Sequence, residues 1–414
     1  MSFKINDYTK SREMFERAEK VIPSGVYGHL GPAEGCFIPV SAFPLFGDRA
    51  QGSYFWDVDG NKFIDYMCAY GPNVLGYNDP DVDAAALEQA KKCNCTTSPS
   101  YKAVEFAELL VDTVNCADWA FFAKNGNDVT TAAIMTARAH THRKKIIFIN
   151  GFYHGISPWT QKVDYPGVIE EDVANNIYID WNDIPALERV IAENEGEIAA
   201  FISTPYLHGN FFDNQLPADG YWQKVRELCT KNGIVLIVDD VRAGFRLDIA
   251  GSDHFYGFEA DLICFCKALA NGWNVSALCG KEFLKSSISS LSYTGSYWLS
   301  AIPFAAGIAC INKMKKLNTP ALFREKGLKA AAANNGFHLV VSGEPSLFYL
   351  RLADDDSLML HQEWVAEMVK RGIFITSHHN HFLNASLTDE DIAHTVDVAE
   401  DAFNTLRKNH PELA

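Results

Sequence analysis

Short, continuously apolar runs separated by stretches with helical periodicity constrain the fold of this 414-residue chain more than any other feature. The runs are DWAFFAK (118–124), KIIFI (145–149), IAAFIS (198–203), GIVLIVD (233–239) and DLICFC (261–266). Strands that are apolar along their whole length are typical of a parallel sheet with helices on both faces. We therefore predict an α/β fold with a mostly parallel central sheet.

The pattern changes toward both ends of the chain, which predicts a second, smaller domain. Residues 53–66 indicate a β-hairpin around Asp59-Gly60, a dipeptide that favours tight turns. Beyond about residue 300, long helices surround one strand, LFYLRL (347–352). We predict a large domain over residues 71–305, and a small α+β domain built from an N-terminal segment (1–70) and the C-terminal residues (306–414).

The composition argues against several classes of function. Acidic residues outnumber basic ones by 52 to 36, a formal net charge of −16, which disfavours nucleic acid or an anionic membrane as the main partner. The first residues are polar, so no signal peptide is expected, and no run reaches the roughly 18 apolar residues of a membrane span. The ten cysteines form no C-x-x-C pair, so we expect a reduced, cytoplasmic setting without a zinc knuckle.

A candidate anion site follows the first apolar run. Open α/β sheets bind ligands beyond the carboxyl ends of their strands, and Asn125-Gly126-Asn127 stands there at the start of a predicted helix. The glycine lets backbone amides approach an anion, and the helix N-terminus adds partial positive charge. The alternative is an ordinary helix cap, for which Asn and Asp are preferred.

An acid and a lysine end two further runs. Asp239 closes GIVLIVD, and a buried carboxylate there needs a metal, a protonated heterocycle, or a cation such as Arg242 or Arg246. Lys267 directly follows DLICFC. Burial would lower its pKa and provide the free amine that a Schiff base requires. The alternative is a lysine whose amine extends to solvent at the sheet edge.

Together these groups meet the requirements of pyridoxal 5′-phosphate (PLP), namely a phosphate cup, an acid facing the pyridine nitrogen and a lysine for the aldehyde. Tyr153 and His154, in GFYHG after KIIFI, can stack on a flat ring at the same edge, or pack as ordinary loop residues. We predict a PLP enzyme with Lys267 and Asp239 as catalytic residues and no metal.

The sequence resembles the class III aminotransferases among the fold-type I PLP enzymes, and within them the glutamate-1-semialdehyde aminomutases. The resemblance spans nearly the whole chain. Its most specific segments include FAKNGNDVTTAAIMTAR (122–138), KIIFINGFYHG (145–155), LIVDDVRAGFR (236–246) and ADLICFCKALANG (260–272). It implies the fold of that group, with a seven-stranded, mostly parallel sheet in the large domain.

The resemblance also implies roles for matching positions. Lys267 matches the Schiff-base lysine, Asp239 the pyridinium partner, and Val241 the apolar residue under the ring, opposite Tyr153. The remaining cofactor-binding positions are His154, the cup Asn125-Gly126-Asn127 (usually Ser-Gly-Thr), and Gly295-Ser296 with Thr294 as a rival. The pair 295–296 matches a Gly-Thr pair that reaches the phosphate of the neighbouring subunit, so a homodimer with shared sites is expected.

Departures from the pattern concern the substrate. The aminomutase arginine that binds a substrate carboxylate falls at Gly31, which removes a bidentate clamp. Thr204-Pro205 replaces the usual Glu-Pro, and a gating glutamate falls near His381, where His378 and His379 also lie. Those histidines could serve a non-carboxylate anion, or belong to a polar surface loop. The candidate substrate residues are Tyr27, Tyr70, Thr204 and His381.

The expected activity is transamination of a small amino compound through a Lys267 Schiff base. The alternative within the family is a PLP-dependent lyase that eliminates ammonia or phosphate from a hydroxy-, phospho- or phosphono-amine. Two further alternatives are a binding or regulatory protein that has kept the fold, and a metal enzyme that uses Asp239 and Asp240.

Overall fold

The computed structural model describes residues 3–26, 32–33, 37–318 and 325–413. The chain divides into two compact units. The smaller unit comprises Met1–Asp79, Gly209–Asn214 and Pro320–Ala414, and the larger unit comprises Pro80–His208 and Gln215–Thr319. In the described part of the chain, every helix is too short or too polar to cross a bilayer.

The elements are numbered in chain order. The strands are β1 (Gly47–Gln51), β2 (Tyr54–Asp57), β3 (Lys62–Asp65), β4 (Trp119–Ala123), β5 (Lys145–Ile149), β6 (Asn176–Ile179), β7 (Ile198–Ser203), β8 (Val235–Asp239), β9 (Leu262–Phe265), β10 (Ser276–Gly280), β11 (Leu339–Glu344), β12 (Leu347–Leu352), β13 (Ile373–Phe374) and β14 (His381–Phe382). The α-helices are α1 (Thr9–Ala18), α2 (Pro80–Ala90), α3 (Lys102–Thr113), α4 (Gly126–Thr141), α5 (Glu170–Val173), α6 (Ile184–Glu193), α7 (Tyr221–Asn232), α8 (Ser252–Phe255), α9 (Lys285–Ser289), α10 (Ala301–Leu317), α11 (Glu325–Asn334), α12 (Met359–Lys370) and α13 (Asp389–Asn409). Short 3₁₀ helices cover Pro158–Thr160, Lys267–Ala270, Glu282–Leu284 and Pro411–Leu413.

The larger unit contains a seven-stranded sheet in the order β4-β10-β9-β8-β7-β5-β6. Strands β5 to β9 pair in parallel, and β10 runs antiparallel between β4 and β9. All residues of β7, β8 and β9 are buried, which explains their continuous apolar sequences. The predicted α/β fold with a mostly parallel sheet of seven strands is confirmed.

The smaller unit contains two short sheets, β1-β2-β3-β13 and β11-β12-β14. Strands β2 and β3 form the predicted antiparallel hairpin, and Gly60 in its turn has φ +86°, a left-handed value that glycine adopts without steric cost. Strand β12 coincides with LFYLRL. The core of the smaller unit includes Trp364 of α12, which stacks on Phe403 of α13 with ring centroids 4.7 Å apart.

Candidate active site

The carboxyl ends of six strands of the larger unit lie at one edge of the sheet, because β10 is the single reversed strand. Their continuations bring together most of the residues predicted to bind a cofactor. The cup Asn125-Gly126-Asn127 follows β4, Tyr153 and His154 follow β5, Thr204 follows β7, Asp239 ends β8 and Lys267 follows β9. Residues from distant parts of the sequence thus share one edge, as expected for an open α/β sheet.

The buried carboxylate of Asp239 is held by two groups. Its Oδ2 lies 2.7 Å from Nδ1 of His154, and its Oδ1 accepts a hydrogen bond of 3.2 Å from the backbone N–H of Val241. The ion-pair partner seen at this carboxylate is thus the imidazole of His154, whereas the sequence had suggested a cation such as Arg242 or Arg246. The imidazole and the carboxylate therefore form a buried pair at the end of β8.

The adjacent carboxylate, Asp240, turns away from Asp239. It accepts hydrogen bonds from Ser252, 2.6 Å from the hydroxyl and 2.9 Å from the backbone N–H. Burial raises the pKa of Asp240 to about 7. Successive residues of a strand point to opposite faces, so the two carboxylates do not converge on a single ion. In the ranges that the structure describes, no group of three His, Cys, Asp or Glu side chains is arranged to hold a metal.

Lys267 occupies the first turn after β9, where its backbone has a φ of +32°. A positive φ is unfavourable for a side-chain-bearing residue and is often found at functional sites. Burial lowers the pKa of the Lys267 amine to about 8, and the positive charge of Arg242 acts in the same direction. The lowered pKa increases the share of free amine near neutral pH, the form that a nucleophile or base requires.

The N-terminus of α4 forms the candidate anion cradle. The Asp128 carboxylate accepts hydrogen bonds from the backbone N–H groups of Lys124 (3.1 Å) and Asn125 (2.9 Å), so a helix cap is present as well. The backbone N–H groups of the residues that follow Asn125, in the first turn of α4, have no hydrogen-bond acceptor within the helix. A Cβ on Gly126 would lie 2.8 Å from Cγ1 of Val241, so only glycine allows this close approach of α4 to the segment after Asp239.

Two cationic side chains at this edge were not predicted as site residues. Lys124 is only 9% exposed, its Nζ donates to the carbonyl of Asn274 (3.1 Å), and burial lowers its pKa to about 8. Among the described residues it forms no ion pair with a carboxylate. Its sequence signal is the one that identified Lys267, a lysine directly after a buried strand.

Arg242 is the second cation, considered from the sequence only as a possible partner of Asp239. One of its terminal nitrogens, Nη1, donates to the carbonyl of His208 at 2.6 Å. Burial, and then the charge of Arg242, lower the pKa of His208 well below its usual value. Together these contacts place a fixed positive charge beside a neutral imidazole.

Other predicted residues of the larger unit are placed as follows. Tyr153 is 61% exposed, and Thr204 is buried with its hydroxyl bonded to the carbonyl of Tyr206 (2.8 Å). Thr294 and Ser296 are exposed on the segment between α9 and α10, on either side of Gly295. Tyr27 and Gly31 lie outside the described residues.

Two candidate substrate residues belong to the smaller unit. Tyr70 is half exposed, and its ring lies 5.3 Å from that of His379. His381 is fully buried in β14, where Nε2 accepts from the backbone N–H of Thr376 (3.2 Å) and burial lowers its pKa to about 3. The side chains of residues 376–384 are buried, so the alternative of a polar surface loop is wrong.

Comparison with known proteins adds a family and relatives to this geometry. Residues 38–337 match the family described as Aminotransferase class-III. An aminopentol aminotransferase of Sphingopyxis macrogoltabida is 37% identical over 413 residues, covering 98% of this chain and 96% of that protein. A glutamate-1-semialdehyde 2,1-aminomutase of Desulforamulus reducens is 31% identical over 436 residues, covering 97% of this chain and 99% of that protein. The solved structure of the PLP internal aldimine form of the FumI protein of Sphingopyxis sp. MTA144 superposes with a TM-score of 0.91 at 36% identity, covering 98% of this chain and 100% of that one.

Proposed function

The chain belongs to the class III aminotransferases, enzymes that use PLP, and we propose that Lys267 and Asp239 carry its transamination of a small primary amine without an α-carboxylate. Family membership confirms the predicted resemblance, the PLP cofactor and the transaminase activity. The predicted alternatives of elimination, of a non-catalytic binding protein and of a metal enzyme find no support among the relatives.

The described residues fit PLP. Gly126 lets the N-terminus of α4 pack closely on Val241, since a Cβ there would lie 2.8 Å from Cγ1 of Val241, and the backbone N–H groups of this helix end suit a phosphate. Asp239 is an acid held in place by a buried imidazole, and Nε2 of that imidazole, on His154, is buried without a hydrogen-bond partner among the described residues. Lys267 supplies the amine at the same sheet edge. The pairing of Asp239 with His154 beside Lys267 is the observation that carries the proposal.

Each residue has a distinct task in the proposed reaction. When bound, PLP holds the amino group and accepts the electrons left as the adjacent C–H bond breaks. Asp239 holds a proton on the ring nitrogen, and His154 fixes the orientation of that carboxylate. Lys267 would hold the aldehyde of the cofactor, and its amine, once released, would move a proton away from the carbon bearing the amino group. A lysine pKa near 8 suits both tasks.

The absence of an arginine at position 31 supports a substrate without any carboxylate, since the aminomutases are expected to bind their substrate's carboxylate there. The relative named for an aminopentol supports the same class, because its name denotes an amine with hydroxyl groups. We include Tyr27, Tyr70, Thr204 and His381 as candidate substrate residues.

A homodimer is part of the proposal. Thr294 and Ser296 are exposed, as hydroxyl groups that reach a second subunit's phosphate must be. A cytoplasmic location is proposed as well, because the nine cysteines among the described residues are free thiols, which suits a reducing compartment.

A half-reaction tests the activity. The PLP-loaded enzyme is mixed, without a keto acid, with a 2-amino alcohol or with the α-amino acid of the same carbon skeleton. We expect pyridoxamine phosphate to accumulate at least about tenfold faster with the amino alcohol, a difference of about 1.4 kcal/mol. Faster reaction of the amino acid would refute the substrate class, and sustained ammonia release would indicate elimination.

A further inference from the structure

The side-chain oxygen of Asn127 holds the loop that carries Tyr153 and His154. Oδ1 accepts hydrogen bonds from the backbone N–H groups of Ile156 (2.8 Å) and Ser157 (2.9 Å), and from the Ser157 hydroxyl (3.1 Å). These three donors fully occupy an amide oxygen, which has two lone pairs. The oxygen is therefore committed to the loop.

Two neighbouring residues complete this contact between α4 and the loop. The buried hydroxyl of Thr130, one turn along α4, donates to the carbonyl of His154 at 2.7 Å. A Cβ on Gly155 would lie 2.4 Å from Oδ1 of Asn127, and Gly155 has φ +127°, so a side chain there would displace the amide. Residues in the first two turns of α4 thus contact the loop at four consecutive positions, 154 to 157.

The same loop delivers the imidazole to Asp239. Thr130 holds the backbone carbonyl of His154, and Nδ1 of the same histidine lies 2.7 Å from Asp239. Helix α4 therefore determines the position of the imidazole. We propose that Asn127 is a positioning residue, whose side-chain oxygen holds residues 153–157 in place for the cofactor ring. This extends the proposed function, and depends on it only for the roles of Tyr153 and His154.

The proposal differs from the role that the sequence resemblance implies for this position. The family usually has threonine there, as part of the phosphate cup. A threonine Oγ is one bond closer to the backbone than an asparagine Oδ1, so it does not reach the same point between the amides of Ile156 and Ser157. Asparagine therefore performs a different task, and within the cup the phosphate would be bound by the backbone N–H groups of α4 and not by this side chain.

Hydrogen exchange in the cofactor-free protein tests this contact directly. Asn127→Ala removes the acceptor, and we expect the amides of Ile156 and Ser157 to exchange about five- to tenfold faster, since each lost hydrogen bond contributes about 1 to 1.4 kcal/mol. Asn127→Asp retains an oxygen at the same position and should exchange within about threefold of the wild type. Asn175→Ala, at the amino end of β6, is the matched control and should leave these amides unchanged.

Titration of the wild type and Asn127→Ala with PLP and with pyridoxal provides a second test. Asn127→Ala should weaken PLP and the phosphate-free analogue pyridoxal by the same factor, because the loop acts on the ring. Loss of PLP affinity alone, with unchanged exchange at Ile156 and Ser157, would overturn the proposal and make Asn127 a phosphate ligand.

A second variant covers the case in which Asn127→Ala does not fold. Gly155→Ala should displace the amide and accelerate the same exchange, and unchanged exchange in a folded Gly155→Ala variant would also overturn the proposal. If the wild type failed to bind PLP, the proposed function would fail while the exchange result stood.

Discussion

At the scale of single residues, the reactivity of the site depends on the Lys267 amine. Lys267→Ala should bind PLP weakly and lose turnover by at least about 10³-fold, because no other described amine occupies the turn after β9. Borohydride reduction of the loaded wild type should fix the cofactor on the peptide that contains Lys267. Labelling of another lysine, or normal turnover by the variant, would refute this assignment.

The two acids at the end of β8 provide a matched pair of substitutions. Asp239→Asn should reduce kcat/KM by roughly 10²- to 10³-fold, because an amide does not stabilise a protonated ring nitrogen. Asp240→Asn should keep activity within a few-fold, because that side chain contacts Ser252. Steady-state kinetics of the two variants check this prediction, and equal losses would contradict it.

Lys124 offers a test of the phosphate end. An anion near a buried ammonium favours its charged form, so the ratio of PLP to pyridoxal affinity should fall as pH rises through the Lys124 pKa of about 8. In Lys124→Met this pH dependence should disappear. Titration of Lys267 affects the binding of both ligands, so it cancels in the ratio of PLP to pyridoxal affinity. A pH-dependent ratio that persists in Lys124→Met would rule out Lys124 as a phosphate-binding residue.

At the scale of elements, the approach of α4 to the segment after β8 determines the shape of the cradle. Gly126→Ala would place a methyl group 2.8 Å from Val241, so we expect a loss of about 1–3 kcal/mol in unfolding free energy and weaker PLP binding. Gly47→Ala is the control, because a Cβ there meets no atom within 4 Å. Urea unfolding of both variants measures the difference, and similar stabilities would count against a close contact.

The elements also show what the sequence could and could not predict. The buried strands β5, β7, β8 and β9 were predictable because a strand covered on both faces is apolar throughout. The reversed direction of β10 was not, since its residues, SALCG, are equally buried and carry no mark of orientation. Lys267 and Asp239 stood out as charges after such strands, whereas the direction of the Asn127 amide depends on the conformation of residues 155–157, which no local pattern specifies.

At the scale of the whole molecule, buried histidines of the smaller unit should make its stability sensitive to acid. Burial lowers the pKa of His361 to about 4 and that of His381 to about 3, against about 6.5 in an unfolded chain. The unfolded state therefore binds more protons below pH 6.5. Stability is fully present above that pH and falls as pH decreases, by about 1.4 kcal/mol per pH unit for each histidine.

Asp240 acts in the opposite direction in the larger unit, because its pKa is raised to about 7 and its protonation favours the folded state as pH falls. We therefore expect the double variant His361→Gln/His381→Gln to have a flatter, or even reversed, dependence of unfolding free energy on pH between 6.5 and 4.5. His338→Gln, at an exposed position, should leave the slope unchanged. An unaltered slope in the double variant would contradict the assignment to these histidines.

The two adjacent acids at the end of β8 have a consequence for the strand itself. They project to opposite sides, one toward an imidazole and the other toward a serine. Deleting one residue between Val235 and Val238 would bring Asp240 to the position that Asp239 now occupies, and Asp239 to the position of Val238. After such a shift this strand would still end in an acid at that position, whereas a strand with a single terminal acid would not.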